Sequence, residues 1–124
     1  MTLFMAFQMF LALVVGHYFG DFVFQTEYMS KAKSRTNSLA GTPWQHAMAA
    51  HCSIHGGIVW AVTGSVWLGL AEAAVHACID DAKCAHRLTY SQDQAIHLSC
   101  KALWVALSFA WAIQDSSLES ILGL

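Results

Sequence analysis

Four apolar runs organise the chain, at 2–24, 44–63, 66–82 and 95–113. Each is close to the ~20 residues that a helix needs to cross a bilayer. The polar segment TEYMSKAKSRTNSLAGT separates the first two runs, and Pro43 then stands where the first turn of a helix tolerates it, beside Trp44 as an interfacial anchor. Thr63, Gly64 and Ser65 form a short turn between the second and third runs, although one long bent helix fits the same pattern. DAKCAHRLTYS is the second polar connection, and residues 115–124, DSSLESILGL, are a tail too short to cross again. The pattern predicts an all-α fold: an integral membrane four-helix bundle over 1–114.

Composition agrees with a lipid environment. Of the 124 residues 56% are hydrophobic and 11% charged, against about 25% charged in a typical soluble domain. The mean hydropathy is +0.46. Six basic and eight acidic residues give a net charge of −2, so there is no basic field for nucleic acid. Cys52, Cys78, Cys84 and Cys100 show no CxxC spacing and read as packing residues rather than metal or redox groups. The first run lacks a basic leader and a small-residue cleavage site, and is expected to be a retained span. Lys31, Lys33 and Arg35 lie in the first loop and Lys83 and Arg87 in the third. By the positive-inside tendency both loops face the cytosol and both ends face away, as in a multi-pass protein of the inner membrane.

Polar residues inside the spans carry the chemistry, because a charge at bilayer depth is costly. His17 and Asp21 lie in the first span, with Gln25 just beyond it; His51 and His55 lie in the second. Glu72, His76 and Asp80 lie in the third, and Asp93, His97 and Lys101 mark the fourth. Every interval is four residues, which puts neighbours on one helix face about 5–6 Å apart. In an antiparallel serpentine these groups fall roughly 3–15 Å inside the cytoplasmic boundary, at one common level. His46 and His86 sit off the stripes, at the loop boundaries.

Histidine with a carboxylate one turn away presents two ligands to one ion, and neutral imidazole with carboxylate suits zinc, manganese or ferrous iron. His17, Asp21, His51, His55, His76, Asp80, Asp93 and His97 are the candidate ligands. They exceed what one zinc ion takes, so two ions, or one ion with a supporting ring of side chains, are expected. Haem, a proton path and structural polar glue are the alternatives. Haem has no use for an Asp one turn from each His, and the far half of the bundle offers a path only Gln8, Thr63, Ser65 and Ser108.

GHYFGDFVFQTEYMSKAK at Gly16–Lys33 resembles the opening of a small bacterial and phage membrane family, domain of unknown function 3307: a His, a Gly-Asp pair, a Gln, then a Met and a basic residue. HCSIHG at His51–Gly56 resembles its second motif. HACIDDAK at His76–Lys83 matches its His-x-x-x-Asp-x-x-Lys, and DQAIH at Asp93–His97 its Asp-Gln-x-x-His. The resemblance runs from about residue 10 to 110; Glu72, Lys101, His46 and His86 have no counterpart in the pattern. Its motifs are similar to those of predicted membrane-bound metal-dependent hydrolases.

The expectation is therefore a metal-dependent hydrolase open to the cytosol, with Glu72 either as general base or as the hydrogen-bond partner that orients His76. Lys83 and Lys101 are expected to meet an anionic substrate, a phosphoester or lipid, and Gln25 and Gln94 to orient substrate or ligands. The rival expectation is a transport, sensing or interaction protein that binds metal without catalysis. Homo-oligomers are compatible with either.

Overall fold

The computed structural model describes the backbone of residues 1–122 and the side chains of residues 1–114. Among the described residues there are five α-helices: α1 Leu3–Tyr18, α2 Glu27–Ala32, α3 Trp44–Thr63, α4 Val66–Cys84 and α5 Tyr90–Leu122. No strand occurs among the described residues. The four long helices pack in a ring, α1 against α3 and α5, and α4 against the same two.

Local chemistry accounts for the boundaries. Thr2 caps α1 by accepting from the Met5 amide, and Thr26 caps α2 through the Met29 amide. The bent-helix alternative at residues 63–65 does not occur. Gly64 takes the left-handed conformation (φ 74°) that ends α3, and Ser65 caps α4 by accepting from the Leu68 amide. Thr89 and Gln92 form a reciprocal capping box, each amide donating to the other's side chain. That box starts the last helix at Tyr90, five residues before the apolar run begins, and it sets Asp93 in the first turn. The same helix continues to Leu122, and residues 123–124 of the expected tail lie outside the described residues.

Two features interrupt the expected simplicity of the first span and loop. Residues Phe19–Val23 form a π-helical turn directly after α1, an interruption common beside functional sites. Gly20 lies in it because the His55 ring fills the space a Cβ would take. The following loop is also structured: α2 leads into Lys33–Thr36, which docks on the end of α4. Arg35 makes a two-pronged contact with Asp81 at 2.9 and 3.0 Å, and Thr36 donates to the Cys84 carbonyl at 2.9 Å. These Asp81 bonds push the Arg35 pKa above its ordinary value.

The interior is polar and the exterior apolar. The largest fully buried side chains are Lys101, Glu72 and the five histidines 17, 51, 55, 76 and 97, joined by only Leu13 and Val59 among the apolar residues. Large hydrophobic side chains face outward, among them Leu3 at 82% exposure and Trp67 at 72%. Two segments, Leu3–Val23 and Tyr90–Gln114, are long and apolar enough to cross a membrane. α3 contains three histidines and α4 contains Glu72, Asp80, Asp81 and Lys83, which lower their hydropathy. A smaller apolar core, Ala6, Leu13, Val59, Leu68, Trp104 and Val105, fills the end of the ring away from the structured loop.

α3 and α4 approach closely through paired glycines. A Cβ at Gly56 would stand 2.6 Å from the Gly69 carbonyl oxygen, whereas one at Gly57 meets nothing within 4 Å. Gly56→Ala is expected to force the helices apart and cost about 1–3 kcal/mol, while Gly57→Ala is neutral or slightly stabilising. Unfolding midpoints of the two purified variants in detergent check this; equal midpoints would contradict the close crossing.

Candidate metal centre

Continuing each helix stripe from the apolar core in steps of one turn produces layers across the ring. Leu13 leads to His17 and Asp21, Val59 to His55 and His51, Leu68 to Glu72, His76 and Asp80, and Val105 to Lys101, His97 and Asp93. One layer thus holds a histidine from each long helix: His17, His55, His76 and His97. Ring centroids are 3.8 Å apart for His55 and His76, 4.1 Å for His76 and His97, 5.0 Å for His17 and His97, and 5.4 Å for His17 and His55. The next layer, toward the structured loop, holds Asp21, His51, Asp80 and Asp93.

Donor atoms of these two layers converge. Asp21 Oδ1 lies 3.1 Å from His55 Nε2, 3.4 Å from His51 Nε2 and 3.8 Å from His76 Nε2. Its other oxygen is 3.4 Å from His17 Nε2. Asp80 Oδ2 is 3.3 Å from His51 Nε2, and His97 Nε2 is 3.6 Å from oxygens of both Asp80 and Asp93. Many of these approaches are not aligned as hydrogen bonds. Asp21 Oδ1, Asp93 Oδ1 and both ring nitrogens of His55 and His97 are buried without a hydrogen-bond partner. Unpaired buried donors and acceptors are costly, and a cation among them would engage several at once, although His51 Nε2 and His76 Nε2 meet each other at 3.2 Å. Three groups have ligand atoms within 4.8 Å of one another: Asp21, His51, His55 and His76; His17, His76 and His97; and Asp80, Asp93 and His97.

Supporting side chains surround these groups. Gln94 donates to Asp21 Oδ2 at 3.0 Å and to Asp93 Oδ2 at 3.1 Å, and its carbonyl lies 3.2 Å from His17 Nε2, so it ties α5 to α1 and the π-helical turn. Gln25 donates to the Asp21 carbonyl. Glu72 sits beneath the histidine layer, with Oε1 accepting from His76 Nδ1 at 3.3 Å and from Lys101 Nζ, and Oε2 from Trp104 Nε1. Both its oxygens are thus engaged. Glu72, expected either as general base or as the partner of His76, contacts His76, Lys101 and Trp104 and is not among the residues lining the cavity beside the carboxylate layer. Lys101 likewise ends on Glu72, is fully buried and is not among the residues that line the cavity.

A cavity of about 310 Å³ opens beside the carboxylate layer. Asp21, Asp80 and Asp93 face it together with Gln25, Gln94 and Lys83, and so does Lys33. Lys33 was unremarked as a site residue in the sequence, yet its buried ammonium pairs with Asp80. Its place at the end of the Gly16–Lys33 motif was the available signal; Trp104 carried none. His46 and His86 are exposed and lie off the site.

Residues 9–122 match the family described as Protein of unknown function (DUF3307), and the chain belongs to it. No curated protein and no solved structure matches the chain.

If the layers are the site, His76→Ala and Asp80→Asn lower bound metal at least about tenfold, and Glu72→Gln lowers metal affinity about 10–100-fold by freeing the His76 ring. His46→Ala and His86→Ala leave it unchanged. Metal analysis of the purified variants decides; equal content in all five would place any metal elsewhere.

Proposed function

We propose that this DUF3307 member is a four-helix bundle of the cytoplasmic membrane, a metal-dependent hydrolase acting on a phosphoester or lipid substrate that arrives from the cytosol. The metal is a divalent ion, zinc first with manganese or iron as alternatives, and the two layers have ligands enough for a pair. The membrane reading is supported by the polar interior, the apolar exterior and the two helices of spanning length. It places the structured loop in the cytosol, where Lys31, Lys33, Arg35, Lys83 and Arg87 gather.

One observation carries the catalytic reading. The Asp21–His51–His55–His76 group has four ligands, enough to close a tetrahedral site, whereas His17–His76–His97 and Asp80–Asp93–His97 have three each. The last has two of its three, Asp80 and Asp93, on the cavity, which Asp21 also lines. Three protein ligands with an open position is the arrangement of catalytic zinc. A divalent ion there supplies Lewis acidity to polarise a substrate oxygen and activate water. The chain's own residues hold that centre in place. Gln94 fixes the two carboxylates Asp21 and Asp93, Glu72 turns the His76 ring, and Lys33 offsets the charge of Asp80. Among the described residues the core beyond Glu72 is apolar, which favours chemistry over transport.

Metal-loaded protein is expected to turn over at least one member of a panel of phosphoesters and lipid phosphoesters. Chelator should abolish the turnover and added metal restore it, and Asp93→Asn should reduce it at least about tenfold. If loaded wild-type protein turns over nothing on the panel, the hydrolase reading fails and metal binding without catalysis takes its place.

Topology is a separate expectation. A reporter active only outside the cytosol will signal when fused beyond α5 and stay silent when inserted at the exposed Ser38. The reverse pattern would put the cavity on the opposite face and remove the cytosolic substrate.

A further inference from the structure

The charges around the cavity do not balance. Three carboxylates, Asp21, Asp80 and Asp93, and two ammoniums, Lys33 and Lys83, line it. Lys33 is committed to Asp80, whereas half-buried Lys83 makes no ion pair among the described residues. The lining alone therefore carries one excess negative charge and repels an anion. A single divalent ion on the carboxylate layer reverses that sign, and a second ion makes the cavity strongly positive. In a partly enclosed space such a reversal is screened less than it would be in bulk water.

Other features of the cavity suit an oxyanion once the sign has changed. Tyr90, the first residue of α5, lines the opening, so the N-terminal end of that helix lies beside the same space. Ser30 adds a hydroxyl to the lining. Ammonium groups bind phosphate as point charges, and a doubly charged anion answers two neighbouring cations better than a carboxylate does. A volume of about 310 Å³ is at the lower end for ligand sites, room for a phosphate with a small organic group. Phe22, which is 56% exposed and apolar, stands on the rim where an acyl chain would leave toward lipid.

We propose that the cavity is a conditional phosphate site: it takes a phosphate or phosphomonoester group, held by Lys83, only when the metal centre is filled. This rests on the metal reading above and adds the class of ligand and its dependence on the ion. Two sources share the chemistry, free phosphate and the headgroup of a phosphate-terminated lipid.

The test is titration calorimetry on the full chain in detergent, with metal content measured first on every sample. Zinc-loaded and chelator-stripped wild type and zinc-loaded Lys83→Gln are each titrated with inorganic phosphate, and separately with micelles containing phosphatidic acid or phosphatidylcholine. Loaded wild type is expected to bind phosphate or phosphatidic acid, but not phosphatidylcholine. Stripping, or Lys83→Gln at unchanged zinc content, should weaken binding at least tenfold. Binding of phosphatidic acid without inorganic phosphate supports the site and assigns the lipid source; binding of both supports a free source. A loaded protein that binds neither, that binds equally well when stripped, or that ignores Lys83→Gln overturns the proposal and leaves the metal reading standing. A protein that takes up no zinc overturns both.

Discussion

A buried charge must find a partner or be neutralised, and leaving one unpaired costs several kcal/mol. This chain buries five imidazoles, the carboxyls of Glu72, Asp80 and Asp93, and the ammoniums of Lys33 and Lys101 in one column. Nearly every other feature answers that cost. Lys101 and Trp104 satisfy Glu72, Lys33 satisfies Asp80, and Gln94 bridges Asp21 and Asp93. Glycines at 20, 56 and 69 bring the backbones close enough for the rings to meet. What remains unanswered among the described residues, the nitrogens of His55 and His97, His17 Nδ1, Gln25 Oε1 and one oxygen each of Asp21 and Asp93, lies in or beside the layers where the ligand groups converge.

The column is graded along the ring axis. Apolar Leu13, Val59 and Leu68 come first, then the Glu72–Lys101 pair, then four histidines, then three carboxylates with His51, and last the cavity. Imidazoles occupy the deeper layer because they can be buried neutral. Carboxylates lie nearer the opening, where Lys33 and the surrounding loop offset their charge. The docking of Lys33–Thr36 on the end of α4 is thus part of the site and also its outer wall.

Much of this was legible from spacing alone. The four-residue intervals identified the eight converging residues, because a stripe at helical period in an apolar run has only one way to face. Antiparallel order then brought the stripes level. The partners of those residues were not legible. Lys33 sits in a polar loop whose path back to Asp80 depends on α2, and α2 was hidden in a segment without apolar periodicity. Lys101 shares the stripe of Asp93 and His97, so spacing suggested a shared role. Its pairing with Glu72 follows from how α4 and α5 pack together, and one helix's sequence cannot carry that information. The start of α5 was readable in Thr89 and Gln92, but the apolar run drew the boundary to residue 95 instead.

The central claim is that imidazoles and carboxylates of the column share a metal ion. X-ray absorption at the metal edge of the purified wild-type protein tests it most directly. The account predicts a stoichiometric metal with only nitrogen and oxygen neighbours at about 2.0–2.2 Å, and with the multiple-scattering pattern of several imidazoles. A sulfur neighbour at about 2.3 Å would move the site to the cysteines, and a protein that holds no metal after loading would contradict the account outright.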